Sequence, residues 1–324
     1  MRHIASLPVL LFAGLATALA LILPTTAQAT TETWVSATGN DNNKETGCQA
    51  AAPCATVGVA LAQTNPGGTV FCAGPMVVFG PLTISQDVTI DCSQGSAAIP
   101  ATCTGPADGI DVNTAGVKVT LRGLTIYGVE PGACTSGFIG VHITAAASVR
   151  IENCKIFGFS TAGVEVAPGS GNVVVKIQDS TITQNTPGIL VAPTGSASVS
   201  ISIDRSQIEN NNGGGVKTNA TSGAINASIS DSSLSFNADN GLIALGGAGG
   251  QNMVNLSHDV IASNGQAGIE TSGTNAAALV DTTLLESNTG GALSAVSSGR
   301  ILTYQNNRIV GSPGTGFTGT ASPQ

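Results

Sequence analysis

A repeat of about 26 residues, running from residue 121 almost to the end of the chain, constrains the fold more than any other feature. One apolar residue opens each unit, in the order Leu121, Ile151, Ile177, Ile203, Ile229, Leu256, Leu279 and Tyr304. Five residues later, a second apolar ladder contains Ile126, Ile156, Ile182, Ile208, Leu234, Ile261, Leu284 and Ile309. A third ladder, usually eight residues further on, contains Val141, Val164, Ile189, Val216, Leu242, Ile269, Ala292 and Phe317. Three ladders that stay in step over eight units indicate a repeat architecture in which each unit stacks on the next.

Each unit has the pattern of short β-strands. In Val199-Ser200-Ile201-Ser202-Ile203, alternate side chains would face one side, as they do in a half-buried strand. Clusters of Gly, Ser, Asn and Pro separate such segments and favour turns. Three short strands in a unit of this length predict an all-β fold, a right-handed parallel β-helix of about ten coils with three short strands per coil. Propeller blades need about 40–45 residues each, so that antiparallel alternative does not match the period.

Asparagine recurs at one turn of the repeat, three residues after the second ladder. The steps that separate Asn185, Asn211, Asn237 and Asn264 are 26, 26 and 27. Stacked amide side chains can satisfy turn amides along the solenoid axis. We therefore expect an asparagine ladder over these four coils, with Phe159 and Ser287 in the corresponding positions beyond its two ends.

The first residues have the pattern of an export signal. Arg2 precedes an uncharged run from Leu7 to Leu23, and Ala27-Gln28-Ala29 is a small-residue cleavage site. This pattern predicts a signal peptide over residues 1–29; a membrane anchor is the alternative. No later apolar run reaches the roughly 18 residues of a spanning helix. The mature chain is therefore expected to be secreted or periplasmic and not an integral membrane protein.

The remaining chain divides into three parts. Residues 30–67 are expected to form an N-terminal cap segment, residues 68–318 the parallel β-helix, and residues 319–324 a flexible tail. An uncovered end of a parallel solenoid exposes unpaired strands and an apolar core. A short helix from about Thr56 to Thr64 is predicted to cover that end, with a buried face formed by Val57, Ala60, Leu61 and Thr64.

Cysteines occur only in the first half of the chain, at Cys48, Cys54, Cys72, Cys92, Cys103, Cys134 and Cys154. Cys48–Cys54 is expected to close a short loop, and Cys72–Cys92 and Cys103–Cys134 are further candidate pairs. The connectivity itself cannot be read from a sequence. A zinc site is the alternative use of clustered cysteines, but the chain has no C-x2-C pair with a histidine beside it. Neither a metal nor a cofactor is therefore predicted.

The segment before the repeats carries a family resemblance. It opens with V-S-x-x-G-x-D-x-N from Val35 to Asn43, and Pro53-Cys54-x-Thr56 precedes the predicted helix. Together with the coils, these motifs resemble secreted bacterial right-handed β-helix proteins of the pectin-lyase-like superfamily. The resemblance implies the fold and not an activity, because that superfamily includes lyases, glycosidases, epimerases, esterases and adhesins. The N-T-D, G-H-G, R-I-K and D-P-H-D motifs of its catalytic members do not occur in this sequence.

In a solenoid, catalytic or binding side chains are expected at the outward-facing positions of the strands. Beside the third ladder, His142 and Glu165 are expected one coil apart, within reach for an acid–base pair. The alternative is that charged side chains only solvate this strand face, each pair contributing well under 1 kcal/mol.

Basic residues gather in one stretch. Seven of the ten that remain after signal cleavage lie between Lys118 and Lys217. If the protein binds an acidic polysaccharide, the binding site is expected at the patch around Arg150, Lys155 and Lys176. The alternative is that these residues are ordinary surface charges. A formal net charge of −8 with only 11 Lys and Arg argues against nucleic-acid binding.

These features predict an exported, non-catalytic scaffold or glycan-binding module. One alternative is a polysaccharide lyase or glycoside hydrolase with a site between Lys118 and Lys217, which predicts converging carboxylates and an arginine there. Another is an adhesin-like protein that assembles end to end through its C-terminal edge, because the tail after Gly311 is rich in small and polar residues.

Overall fold

The computed structural model describes residues 29–74, 77–78, 80–95, 97–100, 108–128 and 138–321. The predicted signal peptide, apart from Ala29, lies outside these residues, as do Cys103 and Cys134. Within them the chain winds as a parallel β-solenoid, as predicted, with a strand of each coil paired to its equivalent in the next.

The strands, numbered in chain order, form three rows. The first row contains β1 (Thr30–Val35), β2 (Thr64–Cys72), β5 (Val88–Asp91), β8 (Lys118–Arg122), β11 (Ser148–Glu152), β14 (Asn172–Gln178), β17 (Ser198–Asp204), β23 (Ala276–Asp281), β26 (Arg300–Thr303) and β28 (Gly319–Thr320). The second contains β3 (Val77–Val78), β6 (Ala97–Pro100), β9 (Leu124–Tyr127), β12 (Lys155–Phe157), β15 (Thr181–Thr183), β18 (Gln207–Glu209), β21 (Val260–Ala262), β24 (Leu284–Glu286) and β27 (Arg308–Val310). The third contains β4 (Leu82–Ile84), β7 (Ile110–Asn113), β10 (Ile139–Ala145), β13 (Ala162–Val166), β16 (Ile189–Val191), β22 (Ile269–Ser272) and β25 (Leu293–Val296), and β19 (Val216–Ser230) and β20 (Leu242–Ser257) run from the third row into the first.

Apolar side chains stack inward at equivalent positions of successive coils. Ile182 pairs with Ile208, and both are fully buried, as is Leu234. The alternation of Val and Ile with Ser places the small polar residues outside, so burial of the aliphatic ladders stabilises each coil against its neighbours. The solenoid has about eight turns, slightly fewer than the ten expected.

One coil is in a different register from the sequence prediction. Leu256 lies against Val280, Ile261 against Leu285 and Ile269 against Leu293, so this coil is shorter than those before it. The predicted ladder residues Leu279, Leu284 and Ala292 each come one residue before the residue that the structure places in the ladder. On the next coil, Thr303 rather than Tyr304 lies against Val280. The ladder positions were ambiguous because each strand has two adjacent apolar residues, which period two cannot separate.

The asparagine ladder is present and is longer than predicted. Asn185, Asn211 and Asn237 are buried, and each Oδ1 accepts a backbone N–H from the preceding coil. Each Nδ2 donates to a backbone carbonyl of the preceding coil. The ladder continues from Asn264 to Asn288, not to Ser287, because of the same short coil.

The N-terminal cap combines a 3-10 helix, Asp41–Thr46, with the α-helix α1, Val57–Gln63. The helix begins where predicted, because the Thr56 side chain accepts the N–H of Val59. Val57, Ala60 and Leu61 are buried against the first coil, as predicted.

Two of the predicted disulfides, Cys48–Cys54 and Cys72–Cys92, are present. Cys154 is free, and burial raises the pKa of its thiol to about 11, which keeps it protonated. At the other end, β28 pairs with β26 through Leu302 and Thr303, so the paired strands reach two residues past the predicted solenoid boundary at 318.

Candidate functional site

Two outward surfaces of the solenoid carry the predicted site residues other than Lys155. The first lies on the third row, where β7, β10 and β13 place Asp111, His142 and Glu165 directly opposite one another on successive coils. They face outward because Ile110, Val112, Val141 and Ile143 fill the alternate, inward positions. The structure thus brings His142 and Glu165 together, one coil apart; their chemical role stays a prediction.

His142 is held by two carboxylates that the sequence analysis did not identify. Its Nδ1 lies 2.9 Å from Oδ2 of Asp108 and 3.3 Å from Oδ1 of Asp111. Oδ1 of Asp108 accepts the backbone N–H of Ile139 at 2.9 Å, which fixes the carboxylate beside the ring. We call Asp108, Asp111, His142 and Glu165 the His142 cluster.

The pKa values in this cluster are shifted in different directions. Hydrogen bonds to Asp108 and Asp111 raise the pKa of His142 to about 10, so the imidazole is charged at neutral pH. Burial alone raises the pKa of Asp108, but hydrogen bonds from His142 and Ile139 bring it below its usual value. Burial raises the pKa of Glu165, and the nearby His142 charge only partly opposes this. The cluster therefore holds one cation among three carboxyl groups.

Asp111 could have been found in the sequence. Ile110-Asp111-Val112 has the same alternation as Val141-His142-Ile143, and Asp111 occupies the position of His142 in the preceding coil. The interval between Asp111 and His142 is longer than the repeat period. The predicted third ladder therefore starts at Val141 and leaves out the preceding coil, which contains Asp111. Asp108 lies in a turn before β7, where no periodic signal marks it.

The second surface is the outward face of the first row, where Arg150 of β11 lies directly opposite Lys176 of β14. On the coil before, Thr120 lies opposite Arg150, and on the coil after, Ser202 lies opposite Lys176, so the four residues form one column across the coils. Lys155 does not belong to this surface: it starts β12 in the second row, beyond the turn at Asn153. Its Nζ lies 5.1 Å from the ring centroid of Phe157, which stacks on Tyr127.

A shallow groove of about 240 Å³ lies further along the first row. Hydroxyl, amide and thioether side chains form much of its lining: Asn172, Ser198, Ser200, Asn226, Gln251 and Met253. None of the groove's lining residues has an ionisable side chain. The groove can donate and accept hydrogen bonds, but it offers no group for proton transfer.

Arg122 lies on the same face but is already paired. Its guanidinium donates to Asp91 on one neighbouring coil at 2.9 Å and to Glu152 on the other at 2.9 and 2.8 Å. This clamp joins three coils. Arg150 and Lys176 remain as two cations in register on adjacent coils, and Lys118 and Arg300, at the starts of β8 and β26, are also exposed on this row.

Comparison with known proteins supports the fold. A family model described as a right handed beta helix region matches residues 85–228. No curated protein sequence matches the chain. Among solved structures, the pectate lyase Pel9A is 14% identical with a TM-score of 0.48, over 92% of this chain and 80% of that one.

Two other solved structures are less similar. The tailspike protein 2 of Escherichia coli O157:H7 bacteriophage CAB120 is 12% identical with a TM-score of 0.36, over 76% of this chain and 40% of that one. The pectin methylesterase from Aspergillus niger is 14% identical with a TM-score of 0.34, over 82% and 91%. Similarities as weak as these give no information about the activity of this chain.

Among the described residues, no helix is long and apolar enough to cross a membrane. The two disulfides fit an extracellular or periplasmic protein. The match to a right handed beta helix region over residues 85–228 and the parallel pairing of successive coils agree on a parallel β-helix fold.

Proposed function

We propose that this is an exported protein that binds an acidic polysaccharide on the outward face of its first row without cleaving it. The observation that carries the proposal is the pairing of Arg150 and Lys176 in register on adjacent coils. Adjacent coils are about 4.8 Å apart, so the two cations present a double positive charge to one stretch of a bound polymer.

Neither cation is strongly engaged by the protein. Arg150 is about half exposed and reaches Glu152 only at 3.7 Å. Lys176 is exposed and forms no salt bridge with any residue that the structure describes. Carboxylate groups of a polysaccharide would supply the missing partners, and the hydroxyls of Thr120 and Ser202 in the same column would bind its hydroxyl groups.

Binding without cleavage follows from what surrounds these cations. The groove along the same row has no ionisable lining residue, and the nearest arginine, Arg122, is fixed between Asp91 and Glu152. The carboxylates of the His142 cluster lie on the third row, not on this face. The carboxylate beside these cations, Glu152, is already paired with Arg122, whereas a lyase or hydrolase site on the first row would need a free acid or base there.

Titration calorimetry with oligogalacturonate, a uronic acid oligomer, tests this proposal. Arg150→Gln and Lys176→Gln should each weaken binding about tenfold or more, because a charged hydrogen bond contributes roughly 1.5–3 kcal/mol. Lys44→Gln removes an exposed lysine of the cap and should leave the affinity unchanged. Equal affinities for all three variants, or no binding by the parent, would refute the assignment of this face.

A second candidate function, a polysaccharide lyase or hydrolase, is favoured by the His142 cluster. Groups with shifted pKa values gathered on one surface are typical of catalytic sites. Release of unsaturated or reducing ends from a uronate polymer, lost in Glu165→Ala or Lys176→Ala, would support catalysis and overturn the non-catalytic proposal. Activity that persists in both variants would have to come from elsewhere.

A further inference from the structure

We propose that Asp108, Asp111 and His142 form a binding site for a divalent transition-metal ion, with Zn²⁺ the best match. The site lies on the third row, away from the polysaccharide face, and does not depend on the proposed function. The sequence predicts no metal site, since its clustered cysteines lack the spacing of zinc ligands; the site proposed here uses oxygen and imidazole ligands instead.

The geometry of the three side chains suits a tetrahedral ion. One ligand atom of each residue, Nδ1 of His142 and one oxygen of each aspartate, lies within 4.8 Å of the other two. Zn–ligand distances of about 2.0–2.1 Å place tetrahedral ligands roughly 3.3 Å apart. The observed separations from Nδ1 are 2.9 and 3.3 Å, so small rotamer adjustments would make room for the ion. The fourth position is left to water.

The fold fixes these ligands before any ion binds. Asp111 and His142 are register partners on β7 and β10, and their backbones are held by the parallel ladder. The second oxygen of Asp108 is occupied by the N–H of Ile139. Such an outer contact orients a ligating carboxylate and leaves its other oxygen free for a metal.

The charge of the cluster also favours a dication. Asp108, Asp111 and Glu165 surround a single imidazole, and the side chains of Asp108 and His142 are only 18% and 25% exposed. Three carboxyl groups beside a single imidazole give the cluster an excess of anionic ligands, which attracts a cation. A divalent ion that replaces the imidazole proton lowers this excess.

The ligand set distinguishes between metals. Ca²⁺ takes six to eight oxygen ligands, whereas Zn²⁺ accepts imidazole nitrogen with carboxylate oxygen in a four-coordinate site. Binding at Nδ1 requires loss of the imidazole proton, which passes to solvent as the metal–nitrogen bond forms.

Titration of the untagged full chain with ZnCl₂, after removal of metals by EDTA, tests the site. The expected result is one strong Zn²⁺ site per chain, weakened at least tenfold in His142→Gln and in Asp111→Asn. His258→Gln is the matched control, since it removes the other histidine that the structure describes and should bind Zn²⁺ like the parent. CaCl₂ at the same concentrations should not compete.

Circular dichroism of each variant separates loss of the site from loss of the fold. If His142→Gln does not fold, Asp111→Asn decides, because it keeps the shape of the side chain. The proposal is overturned if the parent has no Zn²⁺ site, if folded His142→Gln binds as tightly as His258→Gln, or if Ca²⁺ displaces Zn²⁺. None of these outcomes depends on whether the protein binds polysaccharide.

Discussion

Stability should depend on pH through one buried carboxyl group, Asp259. The side chain is 1% exposed, its Oδ1 accepts the N–H of Ser232 at 2.9 Å, and its Oδ2 accepts the N–H of Ser257 at 3.0 Å. In the preceding coils, Ser206 and Ser232 occupy the same ladder position, and each hydroxyl accepts the N–H of the coil before. Asp259→Ser should therefore preserve the ladder while removing the titrating group.

The sign and size of the effect follow from the pKa. Burial raises the pKa of Asp259 from its ordinary value of 3.8 to about 7, against the two backbone hydrogen bonds that lower it. The folded protein thus keeps this proton to a higher pH than the unfolded chain does. The contribution to stability is fully present below about pH 4 and is lost as the pH rises through about 7. At 1.36 kcal/mol per unit, a gap of roughly three units corresponds to about 4 kcal/mol.

Urea denaturation between pH 4 and pH 8 measures this loss. The free energy of unfolding of Asp259→Ser, relative to the parent, should increase by about 4 kcal/mol across that range. Asp239→Ser removes an exposed carboxyl group of the preceding coil and should keep the pH dependence of the parent. A difference between Asp259→Ser and the parent that does not change with pH would refute the reasoning.

Two further substitutions probe the coils themselves. Ile208→Asp should lower the free energy of unfolding by several kcal/mol, because a fully buried position would receive an unpaired charge; an unchanged melting temperature would mean that Ile208 faces water. Asn211→Ala removes the acceptor of the Asn185 N–H and the donor to the Ile182 carbonyl, and should cost roughly 2–3 kcal/mol. The control Asn212→Ala removes the exposed side chain next to Asn211 and should change stability little. Hydrogen exchange at the Asn185 amide should accelerate in Asn211→Ala and not in Asn212→Ala.

The sequence predicts the fold well where strands alternate between apolar and small polar residues. Ile201, Ile203 and the serines between them permit one register only, and the structure has it. Prediction fails by one residue in the coil that contains Leu279 and Val280, since both faces of that strand carry apolar side chains. In the structure, Asn288 of this coil accepts a hydrogen bond from Nδ2 of Asn264, a contact between coils that the strand alternation does not reveal.

The candidate sites could be predicted only in part. The neighbours His142 and Glu165 followed from counting along a ladder, whereas Asp108 depends on the path of an irregular turn. Arg150 and Lys176 lie opposite each other because each comes one residue before a residue of the first ladder, Ile151 or Ile177. Lys155 is close to them in sequence but lies on another row, since the chain bends between Glu152 and Lys155.

The coil register is the claim on which both proposed sites depend, and paired cysteines test it directly. In a Cys154→Ser background, Ser202→Cys with Ser228→Cys places two thiols on adjacent coils, and Ser202→Cys with Asn255→Cys places them two coils apart. Those separations are about 4.8 and 9.6 Å, and a disulfide cannot bridge Cα atoms more than about 7 Å apart. On mild oxidation, measured as loss of thiol labelling in the folded monomer, the first pair should close and the second should stay reduced. Equal oxidation of the two pairs, or closure of the second alone, would contradict the winding.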